Sequence, residues 1–347
     1  MRSRRILVTG ISTLWGGRLA QAIERDDVEA IIGVSSEDPT CELERTEFVR
    51  VGLQHALLRR IVQAAEIDTV IDTRLVVDSL HASPRAAHEA NVIGTMNILA
   101  ACGGPDSPVR KVVFKSSAHY YGCERDDPAF FTESMRRPHP PATRLEADIV
   151  EAEKAVEGFA KRNPDVTVTV LRFANALGPG LDTTHTRLFA LPAVPCILGF
   201  DPRYQFIHED DLVGALRFAV EQDLPGVYNA AGDGVLALSE VCSLLGKPPA
   251  PILPPWGASL ASAALRRVGV RVPAEVLSQL RYGRGLDNRA LKGAGYGYAF
   301  TSREAVLRHA EAQRARSLLD DGGGYRYERE VEEFLRWSPN VRRRGTV

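Results

Sequence analysis

The chain has 347 residues, 44% of them hydrophobic and 25% charged, and its 43 basic and 44 acidic residues leave a net charge of -1. This composition indicates a globular protein with a large core or about two domains, which excludes a disordered linker and a small disulfide-bonded scaffold. A charge near zero gives no overall field to attract nucleic acid or a membrane surface, so neither is an expected partner.

Cysteine usage and the apolar runs bear on the cellular compartment. Five cysteines occur without a Cys-x-x-Cys pair, a pattern that suits a reducing cytosol. The first residues are too few for a signal-peptide core, and no apolar run approaches the roughly 18 residues of a membrane span. We therefore expect a cytoplasmic protein with no membrane span. No metal site is expected either, since the acidic run at 209–211 surrounds a helix start instead of converging on one ion.

The predicted elements follow a regular order in the first half of the chain. Apolar, β-branched runs alternate with helical patterns, which indicates an α/β fold with a parallel sheet covered by helices. Strands are predicted at 5–8, 30–34, 69–71, 111–114 and 166–173, and helices at 16–25, 53–65, 82–102 and 144–162. After residue 178 proline becomes frequent and helices dominate, near 209–222, 237–245, 257–268, 273–280, 301–316 and 325–337. This change of pattern predicts a smaller, mostly helical second lobe.

A glycine-containing turn between the first strand and the first helix is the sharpest local signal. It reads Val8-Thr9-Gly10-Ile11-Ser12-Thr13-Leu14-Trp15-Gly16-Gly17. Glycine here permits a positive φ and lets backbone N–H groups approach a pyrophosphate at the helix N-terminus. The turn alone is weak evidence for a dinucleotide, and its place at the start of a βαβ chain strengthens it.

Five further motifs follow in order, at 91–95, 116–122, 171–179, 205–211 and 226–232. With the glycine turn they resemble the extended short-chain dehydrogenases/reductases, the NAD-dependent epimerase/dehydratase family. The resemblance implies a Rossmann-type doubly wound parallel sheet that binds NAD(P) in residues 1–178, with later strands returning from 200–232. It also implies a smaller, mostly helical C-terminal substrate lobe interleaved over 179–340, and a basic tail occupies 341–347.

The resemblance implies roles for individual residues. Cofactor contacts are expected from Gly10, Thr13, Leu14, Trp15, Gly16, Ser35, Ser36, Arg74 and Asn91. Ser117 falls where the family keeps a substrate-orienting Ser or Thr, and Asn175 and Arg203 fall near positions that contact a substrate diphosphate, often of a nucleotide sugar. Family members commonly form homodimers through two long helices, here near 82–102 and 144–162.

Several positions depart from the family pattern in the cofactor region. Thr13 replaces the middle glycine of the turn, and Ser35, followed by Ser36, stands where an Asp or Glu would bind the adenosine ribose. Gly52 stands where relatives have an Asp near the adenine. Arg74 brings a bulky cation beside the cofactor path, either to hold a phosphate or to block it. We therefore expect NAD or NADP to bind weakly.

The largest departure concerns the family's Tyr-x-x-x-Lys pair, in which an ammonium one helical turn away lowers the pKa of the phenol. Alignment on Val150 and Glu151 puts Thr143 and Ala147 at these two positions, and neither can act as an acid or base. The nearest substitutes are Tyr121, His119 and Glu146, and Tyr121 with Ser117 is taken as the catalytic pair to test.

Three functions remain open. The chain is an oxidoreductase of the nucleotide-sugar epimerase/dehydratase type with altered or reduced catalysis, a non-catalytic nucleotide-binding or interaction protein, or a pocket adapted to another ligand. An active enzyme needs an open nicotinamide slot beside Ser117, whereas Arg74 or the 119–121 segment would fill it in a pseudoenzyme. A Ser-His-acid hydrolase is excluded, because the sequence lacks a Gly-x-Ser-x-Gly turn.

Overall fold

The computed structural model describes residues 4–52, 54–80, 82–252 and 272–321. Its strands are β1 Arg5–Thr9, β2 Ala30–Ser35, β3 Thr46–Arg50, β4 Thr69–Asp72, β5 Lys111–Ser117, β6 Thr167–Phe173, β7 Asn175–Leu177, β8 Val194–Ile197, β9 Arg203–Tyr204, β10 Phe206–His208, β11 Gly226–Ala230, β12 Leu236–Ala237 and β13 Pro249–Ile252. The predicted helix at 257–268, the predicted terminal helix at 325–337 and the tail at 341–347 lie outside the described residues.

Seven of these strands form one parallel sheet in the order β3-β2-β1-β4-β5-β6-β11. The chain winds outward from β1 in one direction and then from β4 in the other, so the order reverses between β1 and β4. Ligands of open α/β sheets bind at such a reversal, beyond the carboxyl ends of the strands. The predicted α/β doubly wound parallel sheet is therefore confirmed.

Helices cover both faces of the sheet. They are α1 Leu14–Ile23, α2 His55–Ala64, α3 Pro84–His88, α4 Thr95–Cys102, α5 Arg144–Arg162, α6 Thr184–Ala190, α7 Glu209–Glu221, α8 Leu238–Leu245, α9 Ala274–Tyr282, α10 Arg289–Gly293 and α11 Ser302–Asp321. The apolar face with Val112 and Phe114 packs on α2, α4 and α5, and the face with Val113 packs on α1 and α7. Because side chains alternate along β5, Lys111, Lys115 and Ser117 share the face of Val113.

Two predicted elements differ from the structure. The predicted helix at 82–102 is divided by a π-helical turn, Glu89–Gly94, between α3 and α4, a feature that propensity patterns do not encode. Strand β3 was missed because it is a half-exposed edge strand without a continuous apolar run. In the described ranges no helix has the length and apolar character needed to cross a membrane.

Candidate functional site

The turn between β1 and α1 is held by its own hydrogen bonds. Gly10 has a φ of 79°, and its carbonyl accepts a hydrogen bond of 2.7 Å from the Thr13 hydroxyl. The same hydroxyl accepts from the Gly16 N–H at 3.1 Å, which makes Thr13 the N-cap of α1. The hydroxyl proton of Thr13 is thus used in a hydrogen bond within the turn and does not point toward a ligand.

The start of α1 provides a place for an anion. A Cβ on Gly16 would collide with the carbonyl of Gly10, so glycine is required for the close approach of helix and turn. Within the described part of the chain, the backbone N–H groups of Leu14 and Trp15 have no protein acceptor. Unpaired N–H groups at a helix N-terminus attract anions such as a pyrophosphate.

A cavity of about 240 Å³ opens beside this turn, and we call it the turn cavity. Its lining brings together five of the predicted cofactor residues, namely Gly10, Thr13, Ser35, Ser36 and Arg74. The hydroxyls of Ser35 and Ser12 are hydrogen-bonded at 2.6 Å, so Ser35 is tied to the turn. The carboxylate in the lining is Glu37, two residues beyond Ser35, where the family pattern places an Asp or Glu.

Arg74 is fixed beside the turn by an acidic neighbour. Its Nε and Nη2 donate to the two oxygens of Asp72 at 3.0 and 2.8 Å, and its stem lies over the bare Cα of Gly10. The remaining nitrogen, Nη1, is buried without a partner among the described residues. Arg74 therefore borders the turn cavity and does not enter the space beside Ser117.

Asn91 lies in the π-helical turn and is fully buried. Its side-chain amide donates to the Val76 carbonyl at 2.8 Å and accepts from the Val76 N–H at 2.7 Å. These two bonds hold the segment that follows β4. The side-chain amide of Asn91 thus bonds to the main chain of Val76, and a contact between Asn91 and a cofactor stays a prediction.

A second cavity, of about 90 Å³, lies at the carboxyl ends of β5 and β6, and we call it the Ser117 cavity. It is lined by Trp15, Val77, Asp78, Lys115, Ser116, Ser117, His119, Phe173, Ala174, Asn175, Ala176, Thr183, His185, Leu212, Glu275 and Val276. The structure thus brings together Trp15, Ser117 and Asn175 of the predicted residues. Of the residues expected to fill this space in a pseudoenzyme, Arg74, Tyr120 and Tyr121 do not line it, whereas His119 of the 119–121 segment does.

Ser117 belongs to a chain of hydrogen bonds that runs to helix α9. Its Oγ lies 2.9 Å from Nδ1 of His119 and accepts from the His119 N–H at 3.2 Å. Nε2 of His119 lies 3.0 Å from the amide nitrogen of Gln279, whose Oε1 accepts from Asn175 at 2.8 Å. Since the Gln279 nitrogen is a donor, His119 accepts at Nε2 and carries its proton on Nδ1.

This arrangement sets the direction of the Ser117 hydroxyl. Burial, together with the charge of Arg284, lowers the pKa of His119 well below its usual value, so the ring is neutral. The Nδ1–H and the backbone N–H of His119 therefore occupy both acceptor positions of Ser117 Oγ. The hydroxyl proton of Ser117 remains available to a ligand in the cavity.

Tyr121 lies outside the lining of the Ser117 cavity. Its hydroxyl accepts from Arg172 at 2.8 Å and donates to Asn229 at 2.9 Å, and its ring stacks on Phe131 with centroids 4.6 Å apart. Burial raises the pKa of Tyr121 above 10. The structure does not bring Tyr121 together with Ser117, and its contacts favour a packing role over proton transfer at neutral pH.

Thr143 and Ala147 occupy the first turns of α5. Thr143 is the N-cap and accepts from the Glu146 N–H at 3.2 Å, while Ala147 lies half-buried one turn on. The carboxylate of Glu146 is buried and paired with Arg137 at 2.6 Å. The start of this helix therefore offers no free acid or base to the cavity.

Arg203 is also separate from the cavity. It is an exposed residue of the short strand β9, which pairs with β12, and it does not line the space that contains Asn175. A diphosphate contact from Arg203 stays a prediction.

Four titratable groups in the Ser117 cavity were not anticipated: Asp78, Lys115, His185 and Glu275. Burial lowers the pKa of Lys115 from 10.5 to about 8, although the charge of Asp72 opposes this shift. Burial also lowers the pKa of His185, to about 4. The position of Lys115, two residues before Ser117 in an apolar strand, could have revealed it. His185 and Glu275 come from distant helices and gave no local signal.

Comparison with known proteins agrees with this geometry. The model of the NAD dependent epimerase/dehydratase family matches residues 6–231. The chain belongs to this family. An uncharacterized protein of Mycobacterium tuberculosis and one of Mycobacterium bovis are each 35% identical to this family member over 324 residues, covering 91% of its chain and 85% of theirs.

Solved structures of low sequence identity share the fold of this epimerase/dehydratase family member. MoeE5 in complex with UDP-glucuronic acid and NAD is 21% identical, with a TM-score of 0.68 over 90% of this chain and 99% of that one. UDP-glucuronic acid 4-epimerase from Bacillus cereus, in complex with NAD, is 16% identical, with a TM-score of 0.67 over 89% and 96%. UDP-glucose 4-epimerase from Thermotoga maritima, with UDP-glucose, is 18% identical, with a TM-score of 0.68 over 90% and 99%.

Proposed function

We propose that this chain binds NAD or NADP and acts on a nucleotide sugar as an oxidoreductase of the epimerase/dehydratase type, with altered catalysis. The observation that carries the proposal is the Ser117 hydroxyl, whose proton is directed into a cavity at the carboxyl ends of β5 and β6. Family membership supports it, as do solved relatives of the same fold that hold NAD with UDP-glucuronic acid or UDP-glucose.

The turn cavity fits the phosphates of a dinucleotide. The backbone N–H groups of Leu14 and Trp15 are unpaired in the described structure, and Gly10, which has no side chain, leaves room for the stem of Arg74 that borders this cavity. Glu37 supplies the carboxylate that Ser35 lacks, and it would accept hydrogen bonds from the adenosine ribose. Because Glu37 lies two residues beyond the usual place, weak binding remains the expectation.

Trp15 belongs to the first turn of α1 and lines the Ser117 cavity, so the helix that starts at the glycine turn also borders that cavity. A bound dinucleotide supplies hydride acceptance and return. Ser117 donates its proton to an oxygen of the sugar and orients it, and neutral His119 holds Ser117 in this role. The apolar walls, Phe173 and Leu212 among them, exclude water.

A homodimer in the cytoplasm is part of the same proposal. Met96 and Ile93 are 44% and 47% exposed beside α4 and α5, and small residues, Ala100 and Ala155 among them, line the groove between these helices. Light scattering on the purified protein checks the mass. We expect twice the chain mass, and a monomer for Met96→Glu.

Calorimetry with NAD and NADP, followed by chromatographic assay of UDP-glucose and UDP-glucuronic acid, tests the function. We expect binding weaker than micromolar and slow turnover that Ser117→Ala lowers by about 100-fold. The exposed Ser243→Ala is a matched control, because the bond that the Ser243 hydroxyl makes in the described part of the chain, to the Ser239 carbonyl, lies within α8. Binding without any turnover would support a pseudoenzyme, and the absence of binding would refute the proposal.

A further inference from the structure

The two lysines of β5 lie on the same face of the strand but have opposite surroundings. The ammonium of Lys111 donates to the carbonyls of Val220 and Gln222 at 2.9 and 3.0 Å and pairs with Asp223 at 3.0 Å. Lys115 is 2% exposed, and among the described residues its ammonium has no hydrogen bond or ion pair. A buried ammonium without partners is costly, and such groups are concentrated at functional sites.

Lys115 shares its cavity and its strand face with Ser117. The two residues are separated by one position, so their side chains leave β5 on the same side, and both line the Ser117 cavity. A ligand oxygen that accepts the Ser117 proton therefore lies within the space that Lys115 borders.

The two carboxylates that line this cavity already accept hydrogen bonds. Both oxygens of Asp78 accept from Thr184, and Oε1 of Glu275 accepts from Ser79 at 2.6 Å. The groups that face Lys115 are thus Asp72 from β4, Asp78 from the segment after it, His119 after β5, His185 from α6 and Glu275 from α9.

The two histidines are poor substitutes for an acid or base. Both ring nitrogens of His119 are used, one by Ser117 and one by Gln279. Nε2 of His185 is buried without a partner among the described residues, and with a pKa of about 4 the ring stays neutral near pH 7. Among the described titratable groups of the cavity, Lys115 is therefore the one that combines an ammonium without a hydrogen-bond partner with a pKa of about 8.

We propose that Lys115 is the proton-transfer residue of the Ser117 cavity and replaces the Tyr-x-x-x-Lys pair that Thr143 and Ala147 have displaced. The inference rests on the proposed function, since it assigns the acid and base of that same reaction. With a pKa of about 8, about a tenth of Lys115 is neutral at pH 7, which suits a general base near neutral pH.

The proton and electron balance is simple. In the oxidative direction the neutral amine of Lys115 takes the proton of a sugar hydroxyl, and Ser117 hydrogen-bonds to the same oxygen. The C–H bond on that carbon breaks, its electron pair leaves as hydride to the oxidised nicotinamide, and a carbonyl forms. In the reverse direction the ammonium returns its proton to the oxygen as the hydride returns to carbon.

The chain has only six lysines, so protein labelled with carbon-13 at the lysine ε-carbon gives a readable NMR titration. The Lys115 signal is identified by its loss in Lys115→Arg. We expect it to titrate near pH 8 and to shift when NAD is added. The inference would be overturned if Lys115 titrated near the ordinary lysine pKa of 10.5 and its signal did not shift with NAD, although the wild-type protein binds NAD.

Activity provides the second readout. We expect Lys115→Met to lose about 100-fold in kcat with little change in KM. We expect Lys115→Arg to lose the rise in oxidation rate with pH near 8 that deprotonation of Lys115 produces. The exposed Lys154→Met is the control and keeps wild-type behaviour. Full activity in Lys115→Met, alongside wild-type binding and turnover, would overturn only the inference. A wild type that binds no nucleotide would overturn the proposed function, and the inference with it.

Discussion

The amide nitrogen of Gln279 lies 3.0 Å from Nε2 of His119 and joins helix α9 to the ligand end of strand β5. This contact fixes the tautomer of His119 and, through it, the direction in which Ser117 donates. The orientation of a residue on the sheet is therefore set by a residue more than 150 positions later in the chain.

The first prediction concerns this tautomer. In wild type, nitrogen-15 NMR is expected to show His119 protonated at Nδ1, and Gln279→Leu is expected to remove that bias because the donor to Nε2 is lost. Gln313→Leu is a matched control, since Gln313 makes the same kind of bond to His309 at 2.8 Å in a different cavity. Unchanged His119 shifts in Gln279→Leu would contradict the assignment.

The second prediction is that Lys115→Met stabilises the protein. The folded pKa of about 8 lies below the value of 10.5 expected in the unfolded chain, so the unfolded state takes up a proton first as pH falls. The free energy of unfolding of wild type therefore falls as the pH is lowered from 10.5 to 8. Below pH 8 the loss is complete and is on the order of 3 kcal/mol.

Thermal unfolding of both proteins at several pH values checks this. We expect Lys115→Met to melt a few degrees higher at pH 7, with the difference closing as pH rises toward 10.5. Lys111→Met should melt lower, because it breaks a satisfied ammonium site. A lower melting temperature for Lys115→Met at pH 7 would show that Lys115 stabilises the fold.

The third prediction concerns the ion pair of Arg172 and Glu153, both nearly fully buried. Two nitrogens of Arg172 bind the carboxylate, with Nη2 to Oε2 at 2.6 Å. Glu153→Gln leaves the guanidinium without its counter-charge and should cost about 3–5 kcal/mol in urea unfolding. Glu157→Gln removes the exposed pair with Lys161 and should cost ~0.5 kcal/mol or less. Equal losses of unfolding free energy in the two variants would contradict the expected difference between a buried and an exposed ion pair.

The fourth prediction assigns the ribose contact to Glu37. Glu37→Gln is expected to weaken NAD binding about 10-fold, because a charge-assisted hydrogen bond to the ribose is lost. The binding of NADP should weaken less, since its 2′-phosphate is repelled by the carboxylate. Glu42→Gln, an exposed change on the same segment, should leave both affinities unaltered. An equal loss for both nucleotides, or none, would place the ribose elsewhere.

The sequence predicted the sheet and the phosphate turn because both depend on local patterns. Strands such as 111–117 carry continuous apolar residues, and the turn around Gly10 needs its glycines within a short span. Ser117 was predicted for the same reason, since it ends a buried strand at the edge where parallel sheets bind ligands.

The rest of the site depends on tertiary contacts that no local pattern encodes. His185 reaches the cavity from helix α6, and Glu275 and Gln279 reach it from helix α9. Tyr121 was a reasonable candidate by its motif, and only the packing of Arg172 and Asn229 shows that its hydroxyl is already engaged.

Calorimetric titration of the purified protein with NAD tests the central claim most directly, and Gly16→Val is its control. A Cβ at Gly16 collides with the turn, so the variant should lose the phosphate site. The account predicts saturable binding by wild type at micromolar or weaker affinity and none by the variant. The absence of saturable binding by wild type, or equal binding by both proteins, would contradict it.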